Sequence, residues 1–259
     1  MYSQRQESIL KFLSEVKVAK VDQMAEMFGV SIETIRRDLI ALEMEGAIQR
    51  TRGGAIFGKL RAREIEFEKK LGISQLEKIA IAKLACQHID DGDALAISNG
   101  SSNLAFARVL AEQKNNLTVV TNSSDIADIL NENPTSQVFV TGGRQRKHNK
   151  SLVGSGCIDV LDGFRVDKAI INIDGMTIPD GITQYNVDES AVLRKMLEIS
   201  HTKIILAESS KFEVVVLNRV CKADEIDCIF TDWNVPNQEI ARWTEKGVRL
   251  FVAKKQLPQ

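Results

Sequence analysis

The feature that most restricts the fold of this chain is an alternation that begins near residue 75. Short strand-like apolar runs at 94–97, 117–120, 137–140, 168–173, 203–207 and 227–230 are separated by helical segments such as 76–89, 101–113 and 187–200. Strands and helices that take turns in this way imply an α/β domain with a mainly parallel sheet. A length of 259 residues exceeds the ~100–200 of a typical domain, so a second, smaller unit is expected beside it.

Residues ahead of the alternation read differently. Ile9, Leu10 and Leu13 sit at helical spacing within 4–14, as do Val21, Met24, Ala25 and Phe28 within 21–28. Gly29-Val30 breaks the pattern, Ser31 can cap a third helix running to about Glu45, and Gly46 supplies its stop. Residues 47–52 then alternate with period 2, Gly53-Gly54 makes a turn, and 55–57 returns as a second strand. The expected organisation is a helical unit with a two-stranded wing over 1–57, a charge-rich connector over 58–74, and the α/β domain over 75–259.

At ~100° per residue, Ile32, Ile35, Leu39 and Leu42 of the third helix fall on one face, which seats it against its two predecessors. Glu33, Thr34, Arg36 and Arg37 lie on the other sides. Guanidinium, hydroxyl and carboxylate groups at the start of a helix are those that read base edges and phosphates in a major groove. Charge alone does not decide the matter, because acidic neighbours balance these arginines and the whole chain carries 34 basic against 35 acidic residues. What favours DNA is the arrangement, with Arg50 and Arg52 of the wing placed to grip phosphates.

The segments VDQMAEMFGVSIETIRRDLIALEMEG and IQRTRGGA resemble the winged helix-turn-helix of the DeoR family of bacterial transcription regulators. That resemblance implies that Ser31, Glu33, Thr34, Arg36 and Arg37 face DNA and that the larger domain senses a small molecule.

In the α/β part, three strand ends run into small polar residues: Asn99-Gly100-Ser101-Ser102, Thr121-Asn122-Ser123-Ser124 and Thr141-Gly142-Gly143. Glycine permits close backbone approach, hydroxyls donate hydrogen bonds, and helix N-termini at Ser101 and Ser124 suit an anion such as phosphate. Ligands of α/β sheets bind at such strand ends, although capping alone uses the same residues. TNSSDIADIL, TGGRQRKHNKSLVG, the IDG around Asp174 and SSKF at 209–212 are similar to the family's effector domain, which is related in fold to sugar-phosphate isomerases. This implies a phosphorylated sugar or related metabolite as inducer, with Lys211 neutralising its phosphate and Asp174 and Glu189 binding hydroxyls. Two departures bear on the ligand: Ser98-Asn99 and Glu208 stand where many members carry an acidic residue and an aspartate. The basic run 144–150 reads as a solvated loop that can also draw in an anion.

The expectation is a cytoplasmic, ligand-responsive regulator of repressor type, assembled as a dimer or tetramer on a double-stranded operator. An isomerase with an appended DNA-binding module, and an adaptor that docks proteins through its winged helix, are the alternatives. No run approaches the ~18 apolar residues of a spanning helix, and the start lacks a leader-like pattern. Cys86, Cys157, Cys221 and Cys228 form no C-x-x-C and read as reduced core thiols, so neither a metal site nor a cofactor is expected.

Overall fold

The computed structural model describes residues 3–16, 18–44, 47–51, 53–57, 71–72 and 74–255. The chain divides into two compact units, one over residues 1–62 and a larger one that begins at Arg63. Most of the expected 58–74 connector, the stop at Glu45-Gly46 and the wing residue Arg52 lie outside the described residues.

In the smaller unit, α1 (Gln4–Val16) is followed by a short strand β1 (Val18–Lys20), α2 (Val21–Phe28), α3 (Ile32–Met44) and the hairpin β2 (Ile48–Thr51) and β3 (Gly54–Phe57). α2 ends where Gly29 takes a left-handed conformation at φ +63°, and the amide of Val30 bonds back to the carbonyl of Ala25. α3 starts where the amide of Thr34 donates to the Ser31 hydroxyl at 3.2 Å. β1 was not anticipated. It pairs antiparallel with β3, giving the order β1-β3-β2, because three residues between two helices are too few to show a period.

Ile9, Leu13, Met24, Ile35, Leu39, Leu42, Ile48 and Ala55 form one buried core. One expectation fails here. Ile32 opens α3 but is 45% exposed, while Ile35, Leu39 and Leu42 are sealed. Asp38, by contrast, is buried and paired with Arg5 of α1 at 2.5 Å.

The larger unit carries α4 (Gln75–Cys86), β4 (Ala94–Ile97), α5 (Ser101–Gln113), β5 (Thr118–Thr121), α6 (Ser124–Asn131), β6 (Gln137–Val140), a small hairpin β7 (Arg144–Gln145) and β8 (Leu152–Val153), α7 (Ser155–Asp162) and β9 (Val166–Asn172). β10 (Gly175–Thr177), β11 (Gly181–Gln184), α8 (Val187–Glu198), β12 (Ser200–Leu206), β13 (Asn218–Cys221), β14 (Cys228–Thr231), α9 (Asn237–Glu245) and β15 (Arg249–Val252) complete it. The main sheet is parallel throughout, in the order β15-β14-β12-β9-β4-β5-β6.

Its strands are apolar on both faces. Leu95, Val119, Ile170 and Ile204 face one core under α4, α5 and α6, whereas Ala96, Val120, Ile171 and Ile205 face a second with residues of α7, α8 and α9. From β4 the chain builds β5 and β6 to one side and then returns to place β9, β12, β14 and β15 on the other. The order therefore reverses between β4 and β9, which opens a crevice at their carboxyl ends. A second small sheet, β10-β11-β13, was not foreseen. All four cysteines are buried, and burial pushes each thiol up, Cys221 to about 12.

Two of the three isoleucines of α3, Ile35 and Ile32, separate the seating face from the free one. Ile35→Ala is expected to cost about 2–5 kcal/mol in urea unfolding, and Ile32→Ala less than about 0.5 kcal/mol. Equal losses would place Ile32 in the core after all.

Candidate functional site

In the smaller unit the free face of α3 carries Glu33, Arg36 and Arg37, all exposed. Arg36 lies 3.6 Å from Glu33. Thr34 is half-buried, and its hydroxyl is bonded to that of Ser31 at 2.8 Å, so this expected pair of DNA donors also closes the first turn of the helix. Arg50 is exposed on β2; its amide donates to Glu43 of α3 at 2.9 Å and its guanidinium sits 3.8 Å from the same carboxylate. A groove of about 740 Å³ is lined by Lys20, Val21, Asp22, Ile32, Arg36, Leu39 and Arg50, with Gly53 and Gly54 of the hairpin, so three cations face one carboxylate. Three cations bordering one groove make a surface suited to a polyanion.

In the larger unit the expected strand-end loops meet. The amide of Asn99, after β4, donates to Asn122 Oδ1 at 2.8 Å, and Thr121 Oγ1 donates to the carbonyl of Ile97 at 2.7 Å. The amide of Thr141 donates to the carbonyl of Thr121, which brings the third loop alongside the second. Across the switch point the amide of Asn172 donates to Ser98 Oγ at 3.0 Å. Ser98, one of the two departures, therefore ties β4 to β9.

Gly100 behaves differently from expectation. A Cβ there would overlap the side chain of Asn172, so the close approach that glycine permits is between neighbouring strand ends. Gly143 likewise packs against the Val153 carbonyl and Cys157, while Gly142 is exposed with open space around its Cα.

The helix N-termini are not equivalent. In α6 the amide of Ile126 donates to Ser123 Oγ at 3.4 Å, and in α8 that of Glu189 donates to Asn186 Oδ1 at 3.1 Å. α5 has no side-chain cap, and its Ser102 hydroxyl is buried without a partner, with Ser101 buried beside it. An uncapped N-terminus at a sheet's switch point presents donors and positive dipole to an anion.

Glu189 sits at the centre of a buried network. Oε1 accepts from Arg146 at 2.7 Å, from Ser151 at 2.7 Å and from Asn149, and Oε2 accepts from Gln184 at 3.0 Å. Asn149 also receives the Asn99 side chain on its carbonyl at 3.3 Å, so the β7–β8 hairpin is laced to the crevice. Burial works to raise the pKa of Glu189, but the adjacent Arg146 and the hydrogen bonds from Asn149, Ser151 and Gln184 outweigh it and hold the carboxyl below the usual range. This is the opposite of the upward tuning that a general base near neutrality needs.

The basic run 144–150 is therefore not a uniformly solvated loop. Arg144 points outward to Asp188, whereas Arg146 is 11% exposed and Asn149 is buried.

Asp174 is buried after β9 and accepts the amide of Tyr185 at 3.2 Å. Lys211, also buried, lies in the turn after β12, where its amide bonds to the carbonyl of Glu208. Asp232 holds this turn by accepting the Ser209 amide at 2.7 Å. Glu208, the second departure, faces a cation that sequence reading missed: Lys78 of α4 is buried with its Nζ 3.1 Å from Glu208 Oε1. A lysine in the charge-mixed first turns of a helix carries no signal of burial, and Arg146, Asn149 and Ser151 were hidden within a run that looks solvated.

Two family matches divide the chain where the structure does. Residues 5–60 match the DeoR-like helix-turn-helix domain, and residues 73–233 the DeoR C terminal sensor domain.

The chain belongs to the DeoR family.

Its relatives include the HTH-type transcriptional repressor GlcR of Bacillus subtilis, 33% identical over 95% of this chain and 94% of that protein. The HTH-type transcriptional repressor CsqR of Escherichia coli is 28% identical over 96% and 94%. The transcriptional repressor AccR of Agrobacterium fabrum is 30% identical over 88% of each. Among solved structures, ribose 5-phosphate isomerase A of Methanocaldococcus jannaschii aligns with 52% of this chain and 53% of its own at 15% identity and a TM-score of 0.38, a likeness that carries no activity over. As a DeoR-family member the chain is a DNA-binding transcription regulator with a sensor domain, not an enzyme, and the isomerase and adaptor alternatives are set aside. Among the described residues no helix is long and apolar enough to cross a membrane.

The Glu189 network sets a pH dependence. Because the folded pKa is depressed, its stabilisation is fully present above the unfolded value of ~4.3 and is lost as pH falls through the folded value. Glu189→Gln takes the Glu189 counter-charge from the largely buried Arg146 and is expected to destabilise the protein at pH 7, by up to about 3–5 kcal/mol. Denaturant titrations from pH 7 to 3 should show the gap between native and variant protein closing toward acid; a gap that widens would contradict the depressed pKa.

Proposed function

We propose that this regulator represses a sugar-metabolism operon and that a phosphorylated sugar, or a related anionic metabolite, modulates its hold on DNA. The observation that carries the ligand class is the β4–β9 switch point of the sheet, where the uncapped start of α5 and the buried, unpartnered Ser102 hydroxyl supply donors. Two buried lysines lie in the same domain: Lys78, whose ammonium is paired with the Glu208 carboxylate, and Lys211, whose backbone amide bonds to the Glu208 carbonyl. In this reading Asn99, Gly100, Ser101, Ser102, Thr121, Asn122, Ser123, Gly142 and Gly143 frame the phosphate end. Lys211 neutralises its charge, and Asp174 and Glu189 border the hydroxyl end. Glu189, with its oxygens already engaged, acts there by holding Arg146 and Asn149 in place.

On the DNA side α3 enters the major groove with Arg36 and Arg37 on base edges, Ser31, Glu33 and Thr34 beside them, and Arg50 and Arg52 on phosphates. A homo-oligomer, dimer or tetramer, brings two such helices to paired half-sites in the cytoplasm.

Two measurements test this. Arg36→Ala or Arg37→Ala is expected to weaken operator binding by about 1–3 kcal/mol with an unchanged melting curve, and Arg50→Ala to weaken all duplexes alike and flatten the salt dependence. Calorimetry against a panel of pentose and hexose phosphates should find binding that the free sugars lack. Lys211→Met should weaken it by about 1.5–3 kcal/mol, the worth of a hydrogen bond to a charged group. Equal binding of sugar and sugar phosphate would remove the anion from the proposal.

A further inference from the structure

Ile32 and Ile40 are the two exposed isoleucines of α3, and of the two Ile32 borders the groove beside the hairpin. It is the first residue of the helix and is 45% exposed, although the same helix buries Ile35, Leu39 and Leu42 completely. Its side chain borders the groove that Lys20, Arg36 and Arg50 also line. The lining thus sets Ile32, beside Val21 and Leu39, among three cations and one carboxylate, Asp22. The cations complement a phosphate backbone, which selects DNA as the occupant.

Within a major groove, one base edge offers an apolar surface to such a side chain: the 5-methyl group of thymine. Ile32 and Arg36 are four residues apart, so they lie on adjoining parts of one helix side, separated by about 6 Å along the axis. Successive base pairs are about 3.4 Å apart. The two residues therefore span about two base steps. Arg36, close to Glu33, offers the planar fork that pairs with guanine.

We propose that Ile32 is a specificity-determining residue that selects a thymine, through its methyl group, within two base pairs of the guanine read by Arg36. This rests on the reading of α3 as the groove-entering helix. Lys20 borders the same groove from the N-terminal boundary of α2 and serves the backbone next to that thymine.

The test uses the full-length protein and duplexes selected by it from a random pool. Each thymine of the selected operator is replaced in turn by uracil, which removes the methyl group and nothing else. One such replacement per half-site, within two base pairs of a guanine whose substitution Arg36→Ala tolerates, is expected to weaken native binding about fourfold, the size of burying one methyl-sized group. The Ile32→Ala protein should be indifferent to that replacement, and Ile32→Val should fall between. An Ile32→Ala protein with native-like melting and the same uracil sensitivity as the native chain at every thymine overturns the proposal. Full operator affinity in both Arg36→Ala and Arg37→Ala overturns the underlying placement of α3 instead, so the two failures are distinguishable.

Discussion

The pairing of β4 with β9 is the constraint on which the larger unit's site depends. These strands are distant in the chain, yet they lie side by side and in parallel with Ile97 opposite Ile170. The sheet's order reverses at that pair, so the loops after the two strands part and leave a crevice between them. The junction is reinforced by polar side chains. Ser98 accepts the amide of Asn172, and the buried Asn103 donates to Ser98 and to the carbonyl of Ile170. Gly100 completes it by leaving room for Asn172. Residues with the look of a ligand cradle thus also tie the two strand ends together.

A second constraint comes from Glu189, which gathers donors from two stretches of chain. Arg146, Asn149 and Ser151 come from the β7–β8 hairpin and Gln184 from the end of β11. A buried carboxylate without such partners would shed its charge. With them it stays ionised and fastens the hairpin beside Asn99 and Asn122.

The smaller unit solves a different problem, since it has to expose functional groups on a helix that is also part of a small core. α3 does so by burying one stripe, Ile35, Leu39 and Leu42, and by pairing Asp38 with Arg5 so that a charge can lie against the core. The opposite side is left to Glu33, Arg36 and Arg37, and the groove beside the hairpin to Ile32. Ser31 and Thr34 combine a capping bond with a place at the leading end of the helix. An expectation drawn from a helical wheel alone could not separate Ile32 from the seating residues, because the wheel shows which residues share a side but not how far the neighbours reach along it.

What the sequence by itself determined is whatever rests on local period and local turn chemistry. The spans of α2, α5, β4 and β6 follow from spacing. The start and stop of the helix-turn-helix follow from Ser31 and Gly29, and the parallel sheet from the alternation of element types. The strand ends were legible as polar because small capping residues interrupt apolar runs. Tertiary structure decided the rest. It set β1 against β3, turned Arg146 inward and Arg144 outward within one basic run, buried Lys78 against Glu208, and left Ile32 uncovered. In each case the side chain's neighbours come from a remote part of the chain. Burial, charge pairing and exposure depend on what those remote segments cover, and no spacing within a local window carries that information.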